Sequence, residues 1–323
     1  MREKMLILAE EIMQGNRRSL AKAITLIENE EIDKEGLLAR LYPLTGKARI
    51  IGVTGPPGAG KSSLVDCLTR EFRSQGLKVG IIAVDPTSPF SGGALLGDRI
   101  RMQEHALDPG VFIRSMGTRG SLGGLSRATK EAVILFDAFG FQIILIETVG
   151  VGQSELDIMH AADTVLVVMS PGGGDVVQTM KAGIMEIADI FVINKADLDG
   201  ADRTAEELET TLDLAGGQEW KPPVVKTISL NGDGIQELVH LIYAHACYLE
   251  DSGLLQKMRG KRLHEEVMEI VMQRLQQNVF RRFRLEEQFQ ELLTNVATRN
   301  IDPYTAARKI LRELEGRELS QLS

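Results

Sequence analysis

The hydrophobic pattern changes period twice along the chain. Seven short runs rich in β-branched residues lie between Arg49 and Ile228: Ile50–Val53, Val79–Val84, Val111–Arg114, Ile143–Ile146, Thr164–Met169, Ile190–Ile193 and Val224–Ile228. Each is almost continuously apolar, which is how a parallel strand buried on both faces reads. Stretches with helical spacing separate the runs. Such alternation predicts an α/β fold of three layers around a mostly parallel central sheet.

Outside that region the period is helical. Leu6, Leu8, Ile12 and Met13 form one apolar stripe, and Leu20, Ala23, Ile24 and Ile27 form another after a break at Gly15-Asn16. Arg17 and Arg18 open the second stripe and read as a solvated face. From about residue 254 the strand signal is gone, and Leu255, Met258, Leu263, Val267, Ile270, Val271, Leu275 and Val279 recur at mostly helical spacing, followed by Phe289, Leu292, Leu293 and Val296. Pro303 marks a break before a final helix around Tyr304–Leu314. The expected organisation is a helical N-terminal extension (1–44), an α/β domain (45–247) and a helical arm (248–323). The arm must bury its stripe on its own body or against a second subunit, and a homodimer is expected.

Composition narrows the partners. The 323 residues carry 37 Lys+Arg and 45 Asp+Glu, a formal net charge of −8, with 43% hydrophobic and 25% charged residues. That balance is ordinary for a globular chain and excludes wholesale disorder; the length suits roughly two domains. The charge is uneven: residues 1–247 sum to −9 and the tail from 248 to +1. An acidic body argues against nucleic acid or an anionic membrane as partner. Cys67 and Cys247 form no CxxC and the chain has five histidines, so a zinc knuckle or disulfide framework is not expected. No run approaches the roughly 18 apolar residues of a membrane span, and the amphipathic start has no signal-peptide core. A soluble cytoplasmic protein is expected.

The strongest motif follows the first strand. Gly55-Pro56-Pro57-Gly58-Ala59-Gly60-Lys61-Ser62 fits GxxxxGK[ST], and Ser63–Arg70 after it reads as a helix. Glycines let backbone N–H groups turn inward around phosphate oxygens, and the helix N-terminus adds partial positive charge. Gly55, Gly58, Ala59, Gly60, Lys61, Ser62 and Ser63 are the expected phosphate-contacting residues, with Lys61 on the β- and γ-phosphates and the Ser62 hydroxyl on Mg²⁺. After the fourth run, Glu147-Thr148-Val149-Gly150 has the form of a DxxG switch with Glu for Asp. There Glu147 can hold Mg²⁺ through water and the Gly150 N–H can sense the γ-phosphate. Val151 follows the glycine, so no glutamine stands there to orient an attacking water; Gln153 lies further on.

Asn194-Lys195-Ala196-Asp197 follows the sixth run and matches NKxD. A carboxylate there accepts from both N1–H and the 2-amino group of guanine, whereas adenine leaves it unpaired. Asn194 contacts the base edge or braces the loop, the Lys195 stem covers the ring, and Ser229-Leu230 stands where a second guanine loop is expected. Two further acids remain. Asp85 ends the second run, facing the ligand crevice of a parallel sheet, and Asp98 follows a glycine-containing stretch. Each is either a Mg²⁺ or water contact or a cap of the next helix. Lys61, Asp85 and Glu147 are the expected catalytic residues, and Ser62, Asp85, Asp98 and Glu147 the expected metal contacts.

These motifs, with Val84-Asp85-Pro86-Thr87-Ser88-Pro89, Arg114-Ser115-Met116-Gly117-Thr118-Arg119-Gly120 and Glu147 through Glu155, resemble the MeaB/ArgK family of metallochaperone-like GTPases over nearly the whole chain. The resemblance implies a homodimeric GTPase binding GTP/GDP and Mg²⁺. Its implied partner is an adenosylcobalamin-dependent acyl-CoA mutase, first methylmalonyl-CoA mutase. The implied work is to gate cofactor transfer from a cob(I)alamin adenosyltransferase and to protect or reactivate the mutase. It further implies that Gly172, Gly173, Gly174 and Asp175 through Lys181 form an extra switch coupling nucleotide state to the partner. Alternatives are a nickel-insertion GTPase, for which a Cys/His ligand site is missing from the pattern, a kinase acting on a transport protein, and a pure nucleotide-locked binding module.

Overall fold

The computed structural model describes residues 2–31, 34–85, 105, 107–117, 127–148, 154–172, 183–216, 219–283 and 287–319. All seven expected strands are present, each within a few residues of its run: β1 (Arg49–Thr54), β2 (Val79–Asp85), β3 (Val111–Gly117), β4 (Ile143–Thr148), β5 (Thr164–Met169), β6 (Ile190–Asn194) and β7 (Val224–Thr227). They form one sheet in the order β3-β2-β4-β1-β5-β6-β7, with every pair parallel. Helices α1 (Arg2–Met13), α2 (Arg17–Glu28), α3 (Lys34–Leu41), α4 (Lys61–Ser74), α5 (Arg127–Phe139), the short α6 (Ser154–Asp157), α7 (Ala201–Ala215) and α8 (Ile235–Asp251) belong to the same compact unit, which ends at Gln256.

The continuous apolar runs follow from packing on both faces. Along β4, Ile144 and Ile146 join a core that includes Leu20, Ile24, Ile27 and Leu37 of the N-terminal helices and Phe136 of α5. Ile143 and Leu145, pointing the other way, join Leu64, Leu68 and Phe72 of α4 and Leu238 and Ile242 of α8. A strand's period of two thus delivers alternate residues to two cores.

The first 44 residues are integrated with this unit. Asp137 of α5 accepts from the backbone N–H groups of Gly46, Lys47 and Ala48 at 2.6–3.3 Å. A buried ion pair joins Lys34 to Glu131 at 3.0 Å, and Arg127 shares that carboxylate at 2.9 Å. Arg17 is not the solvated residue its sequence context suggests. Its guanidinium donates to the carbonyls of Pro109 and Val111 and stands over the Phe112 ring, 5.4 Å from its centre. The sheet-edge carbonyls that attract it come from residues some 90 positions away, which no helical pattern reveals. At the other end of α2, Glu28 pairs with Arg114 of β3. The helix therefore grips the edge strand at both ends.

The second unit, Lys257–Ser323, carries most of α9 (Leu254–Phe283), with α10 (Glu287–Ala297) and α11 (Pro303–Leu319). The 247/248 boundary expected from the sequence falls inside α8. Pro303 takes the first position of α11, where its missing N–H costs nothing. Asp302 caps that helix, accepting from the Thr305 N–H and hydroxyl at 2.9 and 2.6 Å. Among the described residues no helix is long and apolar enough to cross a membrane.

At the N-terminal edge of the sheet carboxylates satisfy the first strand amides: Asp163 accepts from Ile50 N–H and Asp189 from Val165 N–H. His245 of α8 is buried among them, its Nδ1 2.9 Å from Thr164 Oγ1 and its ring 4.8 Å from that of Trp220. Burial pushes its pKa down from 6.5 to about 4, with the Asp163 charge opposing. At neutral pH the ring is uncharged, so its 3.4 Å approach to Asp189 is not an ion pair. Because the unfolded chain binds the proton more readily, stability is full above pH 6.5 and is lost as pH falls towards 4. The loss attributable to this ring is about 3 kcal/mol. His245→Gln should flatten the decline in chemical-denaturation stability across that window; an unchanged slope would refute the assignment.

Candidate functional site

The candidate site is built at the C-terminal ends of β1, β4, β6 and β7, where parallel sheets place ligands. β1 lies between β4 and β5, so the loop leaving it emerges at the centre of the sheet. That loop makes the turn the glycine motif predicts. Gly58 and Gly60 have φ of +81° and +89°, and Gly60 caps α4 in the left-handed conformation. Gly55 has φ +135°, and a Cβ there would lie 2.0 Å from the Val168 carbonyl oxygen of β5. Both its backbone conformation and its contact with β5 exclude a side chain. The helix begins at Lys61, two residues earlier than expected, so Lys61, Ser62 and Ser63 occupy its first turn.

Lys61 is 6% exposed, and its Nζ donates to the carbonyls of Gly55 and Pro56 at 2.7 and 2.9 Å. The ammonium is thereby held inside the curl of the loop. The Ser62 hydroxyl donates to Glu147 Oε1 at 2.6 Å. Glu147, on β4, is 5% exposed. Below this pair the hydroxyls of Thr54 and Thr148, both fully buried, meet at 2.9 Å and fasten the ends of β1 and β4 together. Serine hydroxyl plus carboxylate is an all-oxygen donor set, which fits a hard divalent cation such as Mg²⁺. Asp85 ends β2 beside β4.

Asn194 ends β6 and is 1% exposed. Its Nδ2 donates to the carbonyls of Ala59 and Gly60 at 2.9 and 3.4 Å. Its Oδ1 accepts from Thr227 Oγ1, Ser229 N–H and Ser229 Oγ at 3.2, 3.2 and 2.8 Å. The two roles weighed for Asn194 are thus separated: its carboxamide is engaged in bracing the loops. Lys195 takes a left-handed φ of +59°, rare for a residue with a side chain. Its stem passes Gly60, with Cε 3.8 Å from where a Gly60 Cβ would stand. Asp197 and Leu230 are exposed. Phosphate loop, NKxD segment and Ser229 loop are therefore one connected assembly.

Gly172 has a left-handed φ of +94° just after β5. Asp98, Gly150, Gln153, Gly173, Gly174, Asp175 and Lys181 lie outside the described residues, as does the side chain of Asp85. Thr227 and Thr54 escaped the sequence reading. A threonine ending a buried strand beside a motif is the signal that was available for both.

A model of the family described as methylmalonyl-CoA mutase-associated GTPase MeaB matches residues 20–283. The chain belongs to the MeaB family of GTPases. A putative GTPase of Pyrococcus abyssi is 54% identical over 317 residues, covering 97% of this chain and 98% of that protein. The mouse methylmalonic aciduria type A homolog, named as mitochondrial, is 35% identical over 329 residues, covering 95% of this chain and 78% of its own length. A crystal structure titled LAO/AO transport system kinase superposes with TM-score 0.72 at 28% identity, covering 97% of this chain and 98% of that one. Membership makes the chain a guanine-nucleotide-binding GTP hydrolase and accounts for the order of the three motifs. The match also takes in α2 and α3, in keeping with their integration in the first unit.

The brace makes a quantitative prediction. Asn194→Ala removes both donors and the shared acceptor from a buried position. It should lower unfolding stability by about 2–3 kcal/mol and weaken guanine-nucleotide affinity at least tenfold. Nucleotide titration and urea unfolding check it; unchanged affinity would show that the loops are ordered without Asn194.

Proposed function

We propose that this GTPase serves an adenosylcobalamin-dependent acyl-CoA mutase, first methylmalonyl-CoA mutase, gating cofactor delivery from the adenosyltransferase and protecting or reactivating the mutase. The observation that carries this reading is the match to a mutase-associated GTPase family across residues 20–283.

In the proposed mechanism the helix N-terminus and the Gly58–Ser63 amides receive the phosphates. Lys61 exchanges the Gly55 and Pro56 carbonyls for β- and γ-phosphate oxygens. Ser62, Glu147, Asp85 and Asp98 would hold Mg²⁺, which would neutralise phosphate charge. Asp197 accepts from the guanine N1–H and 2-amino groups, and the Lys195 stem covers the ring. Water attacks the γ-phosphorus in line, the bond to the β-phosphate oxygen breaks, and GDP and phosphate leave. With Val151 after Gly150, no glutamine stands at that position to orient the water. Basal turnover is therefore slow, and a partner that engages the segments containing Asp98, Gln153 and Gly172 through Lys181 accelerates it.

Purified protein should bind methylmalonyl-CoA mutase more tightly with a GTP analogue than with GDP, or the reverse, and its GTP turnover should rise at least tenfold on adding the mutase. Indifference to every acyl-CoA mutase in both nucleotide states would overturn the reading. Appearance of labelled γ-phosphate on protein, instead of as free phosphate, would favour a kinase.

The proposed homodimer rests on α9. Leu263, Val267, Val271 and Leu275 recur every fourth residue with 42–56% exposure, flanked by exposed Met268 and Met272. A stripe of this size left in water marks an interface, and a second copy supplies a matching apolar face. Val267→Glu with Val271→Glu should yield a monomer by analytical ultracentrifugation. A dimer that survives both changes would move the contact elsewhere.

A further inference from the structure

The loop after β7 has little core of its own. Leu230 is 90% exposed, Asn231 and Asp233 bond each other, and a single bridge ties Ile228 to Asp233. What anchors this loop to the rest of the site is Ser229. Its N–H and hydroxyl converge on Asn194 Oδ1, while its carbonyl accepts from Cys67 Sγ at 3.0 Å. Cys67 stands on α4, the helix that starts with Lys61, and is 5% exposed.

These contacts close a ring. From α4 it passes through Cys67 to Ser229, through Ser229 to Asn194, and through Asn194 to the Ala59 and Gly60 carbonyls that lead back into α4. Hydrogen bonds in such a ring fix one another's geometry, since none can lengthen without moving the next.

We propose that Cys67 is a positioning residue for guanine-nucleotide retention, acting through the Ser229 carbonyl to hold the second guanine loop against the phosphate loop. The proposal rests on the reading of Asn194, Asp197 and Ser229 as the guanine site. Cys67 does not touch the nucleotide; it sets where Ser229 and Leu230 stand when the base arrives. Burial pushes the thiol pKa up, with Arg70 opposing and Asp66 adding to the rise, so the S–H donor persists at neutral pH. The same burial makes the thiol a poor nucleophile, which fits a structural donor better than reactive chemistry.

Release of fluorescent GDP from the full-length protein tests this with two variants. Cys67→Ala and Cys67→Ser both lose the sulfur and differ by one hydroxyl donor. The alanine variant should release GDP about fivefold faster, the effect of one hydrogen bond of ordinary net strength. The serine variant should stay within about twofold of the parent. A packing role alone would speed release equally in both, and equal rates would overturn the proposal. Parental release from the alanine variant would overturn it too. Asp197→Asn in the same assay separates the two readings. If it weakens GDP binding while the Cys67 pair behave alike, the guanine-site reading stands and the positioning role falls. If it leaves GDP affinity unchanged, the guanine-site reading itself falls.

Discussion

One buried carboxamide carries more of this site than any charged group does. Asn194 ends β6 with both halves of its side chain engaged, donating to the phosphate loop and accepting from Thr227 and Ser229. The phosphate loop owes its shape to glycine conformations that would otherwise be only one option among many. A donor fixed on a neighbouring strand selects among them. Gly60 must be glycine for the same reason, because a side chain there would stand where Asn194 Nδ2 stands. Order at the phosphates and order at the base are thus two ends of one hydrogen-bonded assembly.

Carboxylates work at both edges of the sheet but differently. At the ligand edge Glu147 faces the Ser62 hydroxyl, a pair whose oxygens suit a cation. At the opposite edge Asp163 and Asp189 accept first-strand amides, and Asp137 caps the turn into β1. A parallel sheet leaves such amides unpaired where its strands begin, and an unpaired buried amide is costly. Part of the acidity of the first 247 residues therefore serves the fold itself. A net charge gives no sign of that, since it counts carboxylates without locating them.

The two units pose different physical problems. The first buries its strands on both faces within one body and leaves apolar residues such as Leu107, Leu214 and Leu230 exposed outside the strands. In the second, α9 carries large apolar residues that remain substantially exposed. A helix with such a stripe gains most of its stability from whatever covers it, rather than from its own hydrogen bonds.

The strands, their parallel sense and the three nucleotide motifs were legible in the sequence because each depends on local chemistry. Doubly buried strands must be continuously apolar, a phosphate loop must have glycines at set spacing, and Pro303 marks a break before the final helix. Sequence by itself therefore determined the fold class, the guanine chemistry and the family. Tertiary structure alone decided which motif residue braces and which is left at the surface: Asn194 turns inward to the loops, while Asp197 stays exposed. It also brought Arg17 to the carbonyls at the start of β3, Thr54 to Thr148 and Cys67 to Ser229. These contacts join residues about 90 to 160 positions apart. Their geometry is set by strand order and register, and no local pattern encodes either.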